Sequence, residues 1–233
     1  MHKSLKKKIL CVIPARAGSK GVKNKNLRKV GNITLTEHTI NQAQKSKFIN
    51  YIAVSTDSTK IQKIAKINNI WCEKLRPKKF SGDNAKLYDA INHVLSNIKY
   101  NFDIIVELHP TYLFRDPKQI DKAIKYFLNH DSKSLISIFE IDDTSHPDYY
   151  INLKKKKIFY KNSPTKFNRH KLKKYYKSSG YILMSKVSSF YKEKNMLNKD
   201  CLGYVIKDKL QQLDINTIYD FLLVKMIYEK KLY

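Results

Sequence analysis

A short basic segment near the N-terminus carries the residue types that bind phosphate. Residues 15–26 read ARAGSKGVKNKN and contain Gly18 and Gly21 together with one arginine and three lysines. Glycine lets a backbone turn tightly and present its N–H groups to an anion, and a following helix adds the positive end of its dipole. The segment therefore predicts a phosphate-binding loop. A basic surface turn remains the alternative, because neither GxxxxGK[ST] nor GxGxxG is present.

The residues before this segment decide how it is held. The basic stretch KSLKKK precedes the apolar run ILCVI, and A-R-A follows, so a secretory signal peptide is one interpretation. Such a peptide needs about 7–15 apolar residues before its cleavage site, whereas this run ends at Pro14. A short β-branched run bounded by proline and glycine is typical of a strand buried in a parallel sheet. We therefore expect the first strand of a nucleotide-binding sheet.

The charge of the chain raises the question of a nucleic-acid or membrane partner. The 233 residues carry a formal net charge of +26, but only a few of the 46 basic residues are arginine. Proteins that recognise nucleic acid rely heavily on the planar guanidinium, and no run approaches the ~18 apolar residues of a membrane span. We expect solvated surface lysines, no specific nucleic-acid partner and no membrane partner. Because lysine is used at nearly all other basic positions, we expect each arginine to stand where a guanidinium is required. These residues are Arg16, Arg28, Arg76, Arg115 and Arg169.

The cysteines indicate the redox compartment. Cys11, Cys72 and Cys201 are odd in number, far apart in sequence and not in the spacing of metal ligands. They are typical of reduced thiols, which predicts a cytoplasmic protein.

Apolar spacing predicts how the chain is organised. Strands are expected at 9–13, 51–56, 103–108, 134–141 and 179–185, and helices at 36–47, 59–68, 83–98, 116–129 and 218–230. Strands that alternate with helices predict a mostly parallel sheet. Residues 142–176 break the pattern with lysine runs and short alternation in YYINL and KIFY, which indicates a hairpin-bearing insert. The expected division is a core of residues 1–141 and 177–233 and an insert of residues 142–176.

Several motifs, in order, resemble one enzyme family. IPARAGSKGVKNKNL is similar to the opening motif of the CMP-sialic acid synthetases (acylneuraminate cytidylyltransferases), with looser kinship to the CMP-Kdo synthetases. The resemblance continues in AVSTD (53–57), LRP (75–77) with Asp83 and Ala85, LHPTYLFR (108–115), His146-Pro147, the stretch from Arg169 to Gly180, and LDINT (213–217). It spans nearly the whole chain. It implies an α/β, Rossmann-like nucleotidyltransferase fold, with a mostly parallel central sheet flanked by helices and a small β-containing dimerisation insert.

The resemblance also implies a reaction. The anomeric hydroxyl of a nonulosonic (sialic-acid-like) sugar acid would attack the α-phosphate of CTP, giving a CMP-sugar and pyrophosphate. Mg²⁺ would be the cofactor, CTP and a 2-keto sugar acid the substrates, and a homodimer the assembly. The alternative is a non-catalytic or weakly active homologue that binds a nucleotide or a partner.

The family motifs assign roles to individual residues. The implied catalytic residues are Arg16, Lys20 and Asp214. The implied nucleotide-binding residues are Ala15, Arg16, Gly18, Ser19, Lys20, Asn26, Arg76, Asp83 and His109. The implied sugar-binding residues are His109, Thr111, Tyr112, Arg169, Ser179 and Tyr181. Asp214 and Asn216 would bind the metal. Arg169 would bind the sugar carboxylate, either in its own subunit or in the partner subunit of the dimer.

The chain departs from the family at several of these positions. His109 replaces a glutamine of the family motif. Tyr112 stands where the family has the serine of a Ser-Pro pair after Pro-Thr. Ser179 and Tyr181 replace the asparagine and the alanine of an N-G-A triplet. Asn216 replaces a second aspartate, and an amide oxygen can bind Mg²⁺ but brings no charge. We expect the metal to be held more weakly, by about 1–2 kcal/mol, and the sugar pocket to be altered.

Four residues also have structural interpretations. Asp57 and Asp83 could each cap the helix that follows, and Asp83 is expected to do so. Arg115 is expected to form a structural ion pair below the loop after the third strand. His146 is expected to be a packing residue rather than a catalyst.

Overall fold

The protein is described by a computed structural model over residues 7–147, 150–160 and 173–233. The strands are β1 Ile9–Pro14, β2 Lys29–Val30, β3 Ile33–Thr34, β4 Tyr51–Ser55, β5 Ile104–Glu107, β6 Ser134–Glu140, β7 Ile151–Lys154, β8 Lys157–Tyr160, β9 Tyr176–Lys186 and β10 Leu202–Val205. The α-helices are α1 Leu35–Gln44, α2 Thr59–Ile67, α3 Leu87–Leu95, α4 Pro117–Leu128, α5 Val187–Glu193 and α6 Ile218–Glu229.

Six strands form the central sheet in the order β10-β6-β9-β5-β1-β4. The pairs β1–β4, β1–β5 and β6–β10 are parallel, and β9 runs antiparallel to both β5 and β6. The predicted mostly parallel sheet flanked by helices is confirmed. The returning strand predicted at 179–185 is β9, and it enters the middle of the sheet rather than its edge.

Alternate residues of β1 pack into two separate hydrophobic cores, as expected for a strand covered on both faces. Ile9, Cys11 and Ile13 pack with residues of α1, α2 and α4. Leu10 and Val12 pack on the other face with α3 and α5. All five side chains are buried, which explains why this run of the sequence is continuously apolar.

The predicted helices are present, with some shifted starts. Asp116 caps α4 by accepting a 2.9 Å bond from the Lys118 N–H, with Pro117 in the first turn, as expected. The expectation that Asp83 caps the third helix was wrong, because α3 begins at Leu87 and its N-cap is Lys86. The helix α5 and the edge strand β10 were not anticipated. None of the helices in the described ranges combines the length and apolarity of a membrane span.

The segment after β6 contains the expected hairpin. Antiparallel β7 and β8 pair Ile151 with Tyr160, and the ladder between β6 and β9 continues to Glu140 and Tyr176. The hairpin thus leaves the sheet at the end of that ladder. The division into core and insert, and the role of the insert in dimerisation, stay predictions, and Arg169 lies outside the described residues.

Candidate functional site

A cleft of about 460 Å³ opens beyond the carboxyl ends of β1 and β5. Open α/β sheets commonly bind their ligands at this edge. Nine of the residues predicted for the site line the cleft: Arg16, Ser19, Lys20, Asn26, Arg76, Asp83, His109, Thr111 and Asn216. Residues from four separate parts of the chain therefore meet here.

The phosphate-loop segment, residues 15–26, is held by its own backbone. The N–H of Ala15 donates to the Ser55 carbonyl at 2.9 Å, and the N–H of Ala17 donates to Asp57 Oδ1 at 2.8 Å. The Asn26 amide donates to the Arg16 carbonyl at 2.9 Å. Ala15 is buried and Gly18 does not line the cleft, so these two shape the loop through their backbones.

Asp57 supports the loop rather than capping a helix. The N-cap of α2 is Ser58, whose hydroxyl accepts from the Ile61 N–H at 3.4 Å. The capping alternative for Asp57 is therefore wrong, and its carboxylate holds the turn after β1 instead.

Two cations of the cleft share one carboxylate. Asp83 lies 3.2 Å from Arg16 Nη2 and 2.7 Å from Lys20 Nζ, and these contacts lower the pKa of the Asp83 carboxyl, with the Lys20 hydrogen bond acting most strongly. Arg16 also donates to the Gly82 carbonyl at 3.0 Å. An incoming phosphate must therefore compete with Asp83 for both cations.

Arg76 forms a second cationic wall of the cleft. Its Nε donates to Ser81 Oγ at 3.1 Å, and burial lowers the pKa of its guanidinium against the opposing effect of Asp57. Within the described part of the chain, its two terminal nitrogens have no hydrogen-bond partner. They are free to donate to a ligand in the cleft.

The loop Leu213–Asn216 closes the cleft from the C-terminal side. The Lys25 ammonium donates to the Ile215 carbonyl at 2.7 Å, and the Ile215 N–H donates to the Thr111 carbonyl at 3.2 Å. Gly21 packs so tightly here that a Cβ atom on it would lie 2.1 Å from the Asn216 carbonyl oxygen. Sequence reasoning missed this role of Lys25, whose pKa is lowered mainly by burial.

The carboxylate of Asp214 fits a cation. Its Oδ2 accepts from the Asn216 amide at 2.9 Å, and its Oδ1 is buried without a hydrogen-bond partner among the described residues. A buried carboxylate oxygen left unpaired is costly unless a ligand satisfies it. The described ranges hold no cluster of three or more metal-ligating side chains. Mg²⁺ is usually held by one or two carboxylates together with substrate phosphates, so the Asp214 carboxylate is of the donor type that this ion uses.

His109 forms a pair with a buried carboxylate that sequence reasoning missed. Its Nε2 lies 2.5 Å from Oε1 of Glu107, which is fully buried in β5. Burial lowers the pKa of His109, but the charge and hydrogen bond of Glu107 outweigh it, so the pKa is raised. The signal in the sequence was a glutamate that directly follows the apolar run IIV in the predicted strand DIIVEL.

Three predicted sugar-binding residues lie beneath the cleft and do not line it. Ser179 Oγ donates to the Tyr112 hydroxyl at 3.2 Å, and both side chains are buried. Burial, helped by the charge of Asp214, raises the pKa of Tyr112 to about 12. Tyr181 is 0% exposed, and its hydroxyl donates to Gln211 at 2.6 Å. These side chains can shape a sugar pocket only from below.

Arg115 is structural, as expected, but it forms no ion pair within the described ranges. It is buried and donates to the carbonyls of Tyr181 at 2.8 Å and His109 at 2.7 Å, and to Gln42 Oε1 at 2.9 Å. Burial lowers its pKa to about 10. Neutral acceptors thus hold this guanidinium. By donating to the His109 carbonyl, Arg115 in turn fixes the backbone of His109.

Comparison with known proteins finds relatives that match almost the whole length of this chain. The N-acylneuraminate cytidylyltransferase of Escherichia coli O18:K1:H7 is 30% identical over 97% of this chain and 54% of that protein. The CMP-N,N'-diacetyllegionaminic acid synthase of Legionella pneumophila is 28% identical over 95% of this chain and 97% of that protein. The chain therefore spans about half of the first relative and nearly all of the second.

A solved structure shows the same fold. The CMP:2-keto-3-deoxy-manno-octonic acid synthetase complexed with CTP superposes with a TM-score of 0.72 at 14% identity, covering 96% of this chain and 99% of that chain. The family model described as cytidylyltransferase matches residues 10–230. The chain therefore belongs to the cytidylyltransferase family.

Proposed function

We propose that the protein transfers the CMP group of CTP to a nonulosonic, sialic-acid-like sugar acid and releases pyrophosphate. The observation that carries this proposal is the cleft in which the phosphate loop, Arg76 and the Asp214–Asn216 loop meet. The names of the E. coli and Legionella relatives, which specify N-acylneuraminate and N,N'-diacetyllegionaminic acid, support an acceptor of this class.

The phosphate loop and its cations would bind the triphosphate. The backbone N–H groups of residues 15–26, Arg16 and Lys20 present positive charge to an anion that carries about four negative charges, and such pre-organised donors stabilise charge on transferring phosphoryl groups. Arg16 would hold the oxygens of the α-phosphorus as the sugar hydroxyl attacks. Displacing Asp83 from Arg16 and Lys20 is the rearrangement that binding requires.

Asp214 and Asn216 would hold Mg²⁺ beside the phosphates. When bound there, the ion would neutralise phosphate charge and align the leaving group. The unpaired Oδ1 of Asp214 is the atom that fits this role. Lys25 and Gly21 keep this loop against the phosphate loop, so the metal ligands and the triphosphate cations stay together.

Arg76 would contact the nucleotide base, and the segment His109–Thr111 would contact the sugar acid. Both segments line the same cleft as the phosphate loop. Tyr112, Ser179 and Tyr181 would support the sugar side through packing. Arg169 would bind the sugar carboxylate through a bidentate contact.

The assembly and the compartment belong to this proposal. A homodimer is supported by the hairpin β7–β8, on which Ile151, Leu153 and Ile158 are exposed to solvent. Isolated apolar residues are normal on surfaces, but three together on a small hairpin favour an interface. A cytoplasmic location accords with the free cysteines Cys11, Cys72 and Cys201.

A pyrophosphate-release assay tests the reaction. Purified protein receives CTP, Mg²⁺ and one member of a panel of 2-keto sugar acids that includes sialic, legionaminic and pseudaminic acid. We expect turnover with at least one nonulosonic acid and a preference for CTP over UTP. CTP binding without turnover on any panel member would instead favour a non-catalytic homologue. This alternative is motivated by Asn216, which brings no charge to the loop Leu213–Asn216.

A further inference from the structure

We propose that Glu107 is a positioning residue that fixes the ring of His109 and keeps it a charged hydrogen-bond donor for the anionic sugar acid. This inference rests on the proposed function, because it concerns the acceptor side of the same cleft. Glu107 itself does not line the cleft and acts through His109.

The geometry of the pair defines which ring nitrogen is available. Glu107 Oε1 lies 2.5 Å from His109 Nε2, and the carboxylate is fully buried while the His109 side chain keeps 37% exposure. An ionised carboxylate can only accept this bond, and the proton then lies on Nε2. Nδ1, which has no hydrogen-bond partner in the described part of the chain, is then the atom left for a ligand.

The surrounding contacts fix the ring in place. The backbone of Gly180 in β9 packs so closely that a Cβ atom there would lie 2.7 Å from His109 Nδ1. Arg115 Nη2 holds the His109 carbonyl at 2.7 Å. A ring held at one nitrogen, at its backbone and against a glycine has little rotational freedom, and such pre-organisation is what a specific polar contact requires.

The charges around His109 favour its protonated form. Glu107 from β5 and, more weakly, Asp214 from the C-terminal loop raise the pKa of the ring, whereas burial and the Arg115 guanidinium lower it, and the net direction is upward. With Nε2 committed to Glu107, Nδ1 donates when the ring is charged and can only accept when the ring is neutral.

The ligand class follows from this chemistry. A charged N–H donor is matched to an anionic oxygen, and charge-assisted hydrogen bonds are about twice as strong as neutral ones. A sugar acid is an anion at neutral pH, so His109 would bind it best while the ring is protonated. Glu107 Oε2 is buried without a hydrogen-bond partner among the described residues, an arrangement that costs stability.

A double-mutant cycle tests the proposal. The variants are Glu107→Gln, His109→Gln and the double variant, with Glu193→Gln on the exposed end of α5 as a control for the loss of one negative charge. We expect Glu107→Gln to raise the KM for the sugar acid about tenfold, the scale of one hydrogen bond to a charged group, with less than about a twofold change in the KM for CTP. The double variant should equal His109→Gln, because Glu107 acts only through the imidazole.

The pH profile is the second readout. Relative to His109→Gln, the wild-type kcat/KM for the sugar acid should be highest at low pH and should fall as pH rises through the raised pKa of His109. In Glu107→Gln this fall should begin at lower pH. Equal KM changes for both substrates, or additive effects of the two substitutions, would overturn the positioning role.

A nitrogen-15 NMR titration of His109 in the protein without substrates separates this inference from the proposed function. We expect a proton fixed on Nε2 and a pKa that Glu107→Gln lowers. An unchanged titration refutes the pair even if the enzyme is active. Absence of turnover with every sugar acid would refute the proposed function whatever the NMR result.

Discussion

The contact between Gly21 and the loop Leu213–Asn216 gives the most direct prediction. A methyl group on residue 21 would lie 2.1 Å from the Asn216 carbonyl oxygen, and the obstacle is backbone rather than a flexible side chain. Ordinary carbon–oxygen contacts are made near 3.4 Å, so the loop must withdraw by roughly 1 Å. Gly21→Ala therefore separates Asp214 and Asn216 from the phosphate loop.

The expected effect is larger on catalysis than on stability. A misplacement of about 1 Å can cost about 100-fold in rate, whereas overpacking at one site costs typically about 1–3 kcal/mol of folding free energy. We expect kcat in the pyrophosphate-release assay to fall about 100-fold, with a higher Mg²⁺ concentration needed for half-maximal rate. The control is Gly82→Ala, where an added methyl meets nothing within 4 Å.

The comparison between the two alanine variants decides the outcome. Gly82→Ala should keep the wild-type Mg²⁺ dependence and unfolding temperature. If Gly21→Ala retained wild-type kcat and Mg²⁺ dependence in a folded protein, the spacing of the two loops would not matter for the reaction, and the assignment of Asp214 and Asn216 to the metal would be refuted.

Three further predictions concern the substrates and the assembly. Arg16→Ala should lower kcat at least 100-fold, the scale of losing one donor to transition-state charge, and a near-normal kcat would remove Arg16 from the mechanism. Arg169→Ala should raise the KM for the sugar acid more than the KM for CTP, and equal effects would argue against a sugar-carboxylate contact. Leu153→Lys, on a side chain that is 71% exposed, should convert a dimer into a monomer in light scattering. A wild-type protein that is already monomeric would contradict the proposed interface.

Continuous apolar runs made the core predictable. The strand β1 follows from its continuous apolar run, all of which is buried. The helices α1, α2, α4 and α6 follow from apolar residues that recur with the period of a helix. The short β10 was missed because its sequence, LGYV, is at the sheet edge and only partly buried. α5 was missed because seven residues are too few for a clear helical period.

Long-range contacts explain the errors at the site. The capping prediction for Asp83 failed because its carboxylate contacts Arg16 and Lys20, more than 60 residues away in sequence, and spacing along the chain carries no such information. The ion pair predicted for Arg115 failed for the same reason, since carbonyl groups from other elements satisfy it. The pairing of Glu107 was missed for a different reason. Its partner His109 is only two residues away, but a glutamate in a buried strand does not by itself indicate which side chain it contacts.

The antiparallel strand β9 has a consequence for how such a chain can diversify. This 11-residue strand begins on the hairpin side of the molecule, where Tyr176 pairs with Glu140. It then passes the contact between Gly180 and His109, where its register with β6 shifts, and continues through the sheet. The cations proposed to bind the triphosphate, by contrast, come from the first 90 residues. An exchange of the hairpin and of the returning strand would therefore alter the His109 side of the cleft and leave unchanged the segments that carry Arg16, Lys20 and Arg76.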